Sequence, residues 1–194
     1  MLRFLLILLA VAAITSAGML DYTGTTAGGP IWNRPVAGNP PVAPASGVAT
    51  DVPYHVQAFT VDLVGSYSFL STGVNPVDWD NYTFLYSDSF TPASPFVNVV
   101  IGNDDNPGVG VSGFTANLLT GTNYFFITTG FSNSDEGSFS NSISGPGNIT
   151  AGSGVSNTPE PSSILLLSSG LLLAAFRLRS KSSTLGRARA QQLE

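Results

Sequence analysis

Between Val52 and Pro146, apolar and polar residues alternate in short runs separated by turn residues. In Asn81–Tyr86, for example, Tyr82, Phe84 and Tyr86 alternate with Asn81 and Thr83. A period of two, with β-branched and aromatic residues and turns about every ten residues, predicts an all-β, antiparallel β-sandwich or jelly roll. The predicted strands are His55–Leu63, Ser66–Leu70, Asn81–Tyr86, Val97–Ile101, Gly113–Leu118, Asn123–Thr129 and Ser138–Ile143, and Thr120-Gly121-Thr122 predicts a hairpin between the fifth and sixth.

A continuous apolar run at the N-terminus breaks this alternation. Arg3 precedes the apolar residues Phe4–Ile14, and Thr15-Ser16-Ala17 supplies the small residues that signal peptidase requires. We therefore predict an N-terminal signal helix over residues 1–17 with cleavage after Ala17. The alternative is a retained membrane anchor.

A second apolar run lies near the C-terminus. Ile164–Phe176 follows Pro159-Glu160-Pro161 and ends on Arg177, Arg179 and Lys181. The run is about 20 Å long as a helix, against a hydrocarbon core of about 30 Å, and flanking serines and snorkelling arginines extend it to a short transmembrane helix over 162–178. Positive flanks stay in the cytoplasm, which places the residues before Pro159 outside. The alternative is a buried helix of a globular domain.

These three parts, in this order, resemble the PEP-CTERM sorting signal of Gram-negative bacteria over roughly residues 157–181. The resemblance implies processing at Pro159, Glu160 and Pro161 by an exosortase-type membrane protease, which releases the protein to the cell surface. The chain departs from the family pattern because Ser182–Glu194 continues beyond the arginines.

The remaining chain divides by composition. Residues 18–50 are rich in proline and glycine, and we predict an extended spacer, with docking of Tyr22, Ile31 and Trp32 as an edge strand as the alternative. Residues 51–147 form the predicted sandwich, 148–157 a flexible stalk, 158–181 the sorting signal and 182–194 a cytoplasmic tail.

The charge distribution restricts the partners of the exported body. Residues 18–157 hold ten acidic residues and one basic residue, Arg34, a formal charge of −9, although the whole chain carries only −5. Nucleic acid is excluded as a partner because neutralising phosphates requires lysine and arginine. The chain has no cysteine, which removes thiol nucleophiles and cysteine-ligated metals from consideration.

Residues 52–147 also resemble bacterial pre-peptidase C-terminal-like domains. The matching motifs are Gly65-x-Tyr67-x-Phe69, Asp80-x-Tyr82-x-Phe84, Asn103-Asp104-Asp105, Leu119-Thr120-Gly121-Thr122-x-Tyr124 and Gly137-x-Phe139. The resemblance implies a small β-sandwich module of a secreted protein and implies no activity.

Catalytic patterns are weak. His55 is the single histidine, and no Gly-x-Ser-x-Gly motif accompanies it. Asp78 and Asp80 could share a strand face as paired carboxylates, although capping of a turn is the simpler interpretation. Glu136 beside Asp135 indicates a loop. The sequence therefore predicts a protein that is not an enzyme.

The candidate metal site is for Ca²⁺, which prefers carboxylate, amide and carbonyl oxygens. Gly102–Gly108 concentrates such ligands in Asn103, Asp104 and Asp105, and Asp80 would complete the set, with Asp78 or Asp88 as alternatives. The competing interpretation is an ordinary turn, since Asn, Asp and Gly tolerate its backbone angles.

Together these features predict an exported, non-catalytic protein of the cell surface or extracellular matrix, anchored transiently in the membrane. The family association with exopolysaccharide-producing bacteria suggests exopolysaccharide as a partner, with Tyr82, Tyr86 or Trp79 stacking on sugar if exposed. The simpler interpretation is that most of these rings fill the core or shield its edge. The alternatives are a secreted hydrolase or its accessory domain, and a permanently anchored protein.

Overall fold

A computed structural model describes residues 17–152, so the predicted signal helix, the sorting residues Pro159–Pro161 and the predicted span 162–178 lie outside the described residues. Within residues 17–152, no helix has the length and apolar character needed to cross a bilayer. The strands are β1 (Gly18–Thr25), β2 (Ile31–Trp32), β3 (Val52–Val61), β4 (Gly65–Asn75), β5 (Asn81–Ser87), β6 (Val99–Asn103), β7 (Val111–Leu118), β8 (Tyr124–Gly130), β9 (Ser138–Gly145) and β10 (Ile149–Ala151).

Two antiparallel sheets face each other. Sheet I has the order β1-β9-β4-β7, and sheet II has the order β10-β3-β8-β5-β6, with the short β2 also paired to β3. The prediction of an all-β antiparallel sandwich is confirmed for the described residues. The predicted strands agree with β3 to β9 to within a few residues, except that β4 continues five residues beyond Leu70 to Asn75.

The predicted hairpin at Thr120-Gly121-Thr122 is wrong. β7 pairs with β4 in sheet I, whereas β8 pairs with β3 and β5 in sheet II, so the turn connects the two sheets. Gly121 has a φ of 76°, and the Tyr124 hydroxyl accepts a hydrogen bond from the Leu119 N–H. Left-handed turn geometry occurs both in hairpins within one sheet and in connections between two sheets, so the turn residues alone do not distinguish the two.

The segment predicted as an extended spacer, residues 18–50, is part of the sandwich. β1 pairs with β9 from Gly18↔Gly145 to Thr25↔Ser138 and forms an edge of sheet I. Tyr22 and Trp32 are 2% and 4% exposed, as the docking alternative required, whereas its third residue, Ile31, is 57% exposed. The segment contains buried aromatic side chains, and their burial outweighs the low strand propensity of its prolines and glycines.

The predicted flexible stalk, 148–157, also begins within the fold. Ile149–Ala151 pairs with Phe59–Val61 of β3, and the N–H of Gly152 donates to the Ala58 carbonyl at 2.7 Å. Ile149 packs against the core, which gives this short strand an apolar contact in addition to its backbone bonds.

The sandwich has two apolar clusters. One lies between the sheets and includes Tyr67, Phe69, Phe126 and Ile143. The other lies on the outer face of sheet II, where Trp32, Ala49 and Phe90 from the flanking segments cover β5 and β8; its buried members are Trp32, Ala49, Val52, Tyr54, Tyr82, Phe84, Tyr86, Val99 and Ile127. β5 is therefore buried on both faces, although its sequence alternates as a half-exposed strand would.

On the face of each sheet that packs against the other sheet lies a row of polar side chains. We call these two facing rows the polar belt. Register and alternation place them opposite one another. Asn141 Nδ2 donates to Thr128 Oγ1 at 2.8 Å, and Thr83 Oγ1 lies 2.7 Å from Ser112 Oγ, so hydrogen bonds join the sheets through their centre. The belt consists of Tyr22, Asn141, Ser71 and Ser112 in sheet I and His55, Thr128, Thr83 and Asn103 in sheet II.

Candidate cation site

The predicted acidic ligands come together at one end of sheet II. Asp80 immediately precedes β5, and Asp104 and Asp105 follow β6. Because β5 and β6 are antiparallel neighbours, the start of one lies beside the end of the other. One carboxylate oxygen from each of Asp80, Asp104 and Asp105 lies within 4.8 Å of the others. We call these residues the carboxylate cluster.

Asn103, the fourth predicted ligand, points to the other face of the sheet. It pairs with Thr83, whose side chain lies between the sheets, and paired residues point to the same side. Asn103 is thus a member of the polar belt, and its carbonyl accepts a hydrogen bond from Ser112 Oγ at 2.9 Å. The prediction placed Asn103 and Asp104 in one shell, whereas side-chain alternation along β6 directs Asn103 to the interior between the sheets.

The alternative ligands Asp78 and Asp88 lie outside the carboxylate cluster. Asp78 is exposed in the turn before β5, with a φ of 56°. Asp88 follows the opposite end of β5, with a φ of 63°. The pairing of Asp78 with Asp80 as catalytic carboxylates therefore has no support in the geometry, because the turn separates them.

The loop that carries Asp104 and Asp105 is held by its own hydrogen bonds. The backbone N–H of Asn106 donates to the Val111 carbonyl at 2.8 Å, and its Nδ2 donates to the Gly113 carbonyl at 3.0 Å. Asn106 therefore holds the turn that positions the two carboxylates. The turn interpretation and the cluster are compatible, since the turn residues shape the loop and the acids project from it.

The carboxylates are insufficiently compensated within the described residues. Asp80 Oδ1 and Asp104 Oδ1 are buried atoms without a hydrogen-bond partner. Burial and then the neighbouring Asp104, Asp105 and Asp135 raise the pKa of Asp80 to about 6, and Arg34 opposes this effect. Burial and Asp105 likewise raise the pKa of Asp104. Partly buried carboxylates that lack donors favour either a proton or a cation.

Arg34 lies near the cluster but donates its hydrogen bonds elsewhere. It is 1% exposed, and Nε, Nη1 and Nη2 donate to the carbonyls of Gly130, Pro35 and Phe131 at 2.9, 2.8 and 2.6 Å. Its guanidinium carbon lies 3.8 Å from the centre of the Tyr82 ring. The sequence marks Arg34 only as the single basic residue of an acidic body, a signal that does not reveal its hydrogen-bond partners.

The other candidate residues are explained by packing. The ring centre of His55 lies 5.2 Å from that of Phe139 and 6.2 Å from that of Tyr22, and its Nδ1 has no partner. Trp79, Tyr82 and Tyr86 are 6%, 2% and 0% exposed, so the exposure that stacking on sugar requires is absent, and these side chains pack in the interior as the simpler interpretation predicts. Ala17 is exposed and directly precedes β1.

The first testable consequence concerns pH. The pKa of Asp80 is about 6 in the folded protein, whereas the ordinary value for an aspartate side chain is 3.8. Between these two pH values the folded state therefore binds more protons than the unfolded state. The free energy of unfolding therefore falls as pH rises through this window. Asp80→Asn is expected to raise the melting temperature of the metal-free protein above pH 6, and this gain should shrink towards pH 4.

The matched control is Asp88→Asn, which removes one charge outside the cluster, at a left-handed position that Asn also tolerates. The measurement is the melting temperature of both variants and the wild type across this pH range. His55 is present in all three proteins, so its effect on the pH dependence cancels in the differences. A lower melting temperature of Asp80→Asn than of the wild type at pH 7 would contradict the prediction.

Comparison with known proteins gives distant likenesses. No family model matches the chain, and no curated protein matches it. Among solved structures, CBM35 from Cellvibrio japonicus Abf62 is 14% identical with a TM-score of 0.38, covering 71% of this chain and 98% of that one. A Cowpea Mosaic Virus empty particle is 11% identical with a TM-score of 0.28, covering 78% and 90%. Broad Bean Stain Virus is 9% identical with a TM-score of 0.28, covering 79% and 97%; likeness at this level carries no functional conclusion.

Proposed function

We propose that this chain is an exported, non-catalytic β-sandwich protein of the cell surface or extracellular matrix, delivered through its C-terminal sorting signal. The observation that carries the proposal is the order Pro159-Glu160-Pro161, apolar segment, and Arg177, Arg179 and Lys181. An exosortase-type protease then acts near the Pro-Glu-Pro, and the membrane holds the protein only until that step. The signal peptide before Gly18 supplies export.

Outside the carboxylate cluster, the described residues that carry titratable groups are compatible with a role without catalysis. His55 contacts aromatic rings and has no hydrogen bond to a serine or an acid among the described residues. A cleft of about 540 Å³ contains Asp51, and a second of about 470 Å³ contains Glu136, each as its single carboxylate. Glycoside hydrolysis uses two carboxylates across one site.

The deciding experiment is mass spectrometry of the mature C-terminus, with the protein recovered from membranes and from the culture medium. We expect the released protein to end near Pro159–Pro161 and to lack Arg177–Glu194. Replacement of Pro159–Pro161 by three alanines should leave the full chain in the membrane, whereas the same replacement at Ser182–Thr184 should not. Released protein that retains Glu194 would refute the proposal.

The alternative of a secreted hydrolase is tested with the same purified material. Assays on generic ester, glycoside and peptide substrates should give no turnover above that of an Asp80→Asn/His55→Phe variant. Turnover that this variant abolishes would favour the hydrolase.

The proposal includes a divalent cation at the carboxylate cluster. Three carboxylates with Arg34 nearby leave a local charge of about −2, and Ca²⁺ accepts irregular shells of six to eight oxygens. Mg²⁺ is a weaker candidate because it demands near-octahedral geometry.

Calcium is therefore expected to stabilise the fold. At a free concentration about a hundredfold above its Kd, Ca²⁺ adds about 2.7 kcal/mol to the free energy of unfolding, which raises the melting temperature by several degrees. The shift should disappear in Asp104→Asn and persist in Asp88→Asn, and Mg²⁺ should produce less of it. Equal melting temperatures in calcium and in chelator would contradict the site.

A further inference from the structure

β1 forms one edge of sheet I, and this edge is uncovered among the described residues. The strand is eight residues long and pairs with β9 on one side only. Edge strands in natural proteins are usually short, bulged, or protected by lysine or proline. β1 pairs with β9 without a shift in register, and its sequence contains neither lysine nor proline. β1 is therefore long, regular and open to pairing with a further strand.

The other sheet edges are covered in part. In sheet II, β2 and β10 pair with the two ends of β3, and the backbones of Gly38 and Gly102 of β6 exchange two hydrogen bonds. At the opposite edge of sheet I, the Val111 N–H donates to the Gly108 carbonyl, and the Val111 carbonyl accepts from the Asn106 N–H. Within residues 17–152, β1 has no comparable cover.

The alternation of hydrogen bonds along β1 identifies its outward backbone groups. The Thr26 N–H donates to the Gly137 carbonyl at 3.0 Å, one residue beyond the end of the β1–β9 ladder. Antiparallel pairs alternate between bonded and non-bonded, so the even residues of β1 bond to β9 and the odd residues direct their N–H and C=O groups outward. No described residue bonds to these outward groups. They belong to Met19, Asp21, Thr23 and Thr25.

β1 is complementary to a second copy of itself. In an antiparallel pair with two-fold symmetry, Met19 lies opposite Thr25 of the second copy, and Asp21 lies opposite Thr23. Each of these bonded pairs exchanges two hydrogen bonds, so every outward N–H and C=O of both strands has a partner. A shift of two residues towards the N-terminus would place the two Asp21 side chains opposite each other, where like charges are destabilising. The register that satisfies the backbone is therefore also the one that avoids this repulsion.

We propose that two copies of this chain associate through β1, which joins their four-stranded sheets I into one sheet of eight strands. The occupant is a second copy because one segment supplies both members of every bonded pair. Such a contact is isologous and closes after two copies. Main-chain hydrogen bonds provide the affinity when a strand is added to a sheet edge. Met19, which is 57% exposed, gains the side chain of Thr25 as a neighbour.

The first test measures the mass of the full chain in detergent micelles by sedimentation velocity over a range of concentrations. The wild type should form a dimer that tightens as salt is added, because salt screens the repulsion between two acidic bodies. Thr23→Pro removes an outward N–H and keeps the bonds to β9, since proline is tolerated on an edge strand where its nitrogen faces solvent. We expect it to raise the dissociation constant of the dimer by about tenfold or more.

The matched control is Thr115→Pro, at the other edge of sheet I. Thr115 is exposed on β7, and its N–H points away from β4, because the bonded pairs of that ladder include Gly73 with Gly110 and alternate from there. This variant should dimerise as the wild type does, and melting curves verify that both variants fold. Loss of association in both variants would indicate an open chain of copies joined from β1 to β7, and would overturn the two-fold dimer.

The second test reports the register, because the chain has no cysteine of its own. A mixture of Met19→Cys and Thr25→Cys chains should form an intermolecular disulfide under mild oxidation, several times faster than Met19→Cys alone. In the proposed register these two positions are opposite each other, whereas the two residues 19 are about 20 Å apart. Equal cross-linking of the two samples, a monomer at every concentration, or a dimer that persists in Thr23→Pro would each overturn the proposal.

Discussion

A fragment comprising residues 51–147 is expected to remain unfolded. It lacks β1 and β10 and the buried side chains Leu20, Tyr22 and Trp32. Burial of each such side chain contributes roughly 1.5–3 kcal/mol, and the whole free energy of unfolding of a domain is about 5–15 kcal/mol. The loss therefore approaches the total, before the unpaired edge of β9 is considered.

The comparison fragment is residues 18–152, which keeps every described strand. Far-ultraviolet circular dichroism and urea titration should show one cooperative transition for this fragment and none for residues 51–147. A cooperative transition of the shorter fragment would mean that residues 18–50 pack on the sandwich without being needed for its stability.

Arg34→Met is expected to cost about 3–5 kcal/mol of the free energy of unfolding. The guanidinium donates to the carbonyls of Gly130, Pro35 and Phe131, and Met supplies no donor. The substitution also removes the positive charge that lowers the pKa of Asp80. Two buried carbonyls and one partly buried carbonyl lose their partner, and a partly buried carboxylate loses its favourable neighbour.

Arg34→Lys separates the two contributions. Lysine keeps the charge, but a single ammonium does not reproduce the planar fork that reaches three carbonyls. We expect an intermediate loss in urea titrations, and a smaller loss for Arg34→Met when Asp80→Asn is also present, because the two sites are coupled. A loss below about 1 kcal/mol for Arg34→Met would show that the network is not needed for stability.

The alternation of Tyr82, Phe84 and Tyr86 identified β5 from the sequence, because side-chain period is a local property. It could not show that both faces of β5 are buried, since the cover over the outer face comes from Trp32 and Ala49, far away in the chain. The sequence offers β1 only as the alternative to an extended spacer for the same reason: its partner β9 is more than a hundred residues distant, and no local pattern encodes that pairing.

The carboxylate cluster was predictable because Asp80 and Asp104 flank adjacent strands. Which residues belong to the cluster was not predictable. A bulge in the pairing of β5 with β6 shifts the alternation of side chains, and this shift decides whether Asn103 or Asp104 faces the outer side of sheet II. Arg34 shows a second limit of prediction from sequence. Composition marked it as unusual, but only the fold shows that its partners are the carbonyls at the end of β8 and in the residue that follows.

The pairing of Gly18↔Gly145 has a consequence for the timing of folding. β1 cannot complete its sheet until β9 has followed it out of the ribosome. Under the export proposed above, this topology would delay closure of the sandwich until nearly the entire body has crossed the membrane, and the polypeptide would stay unfolded during its passage.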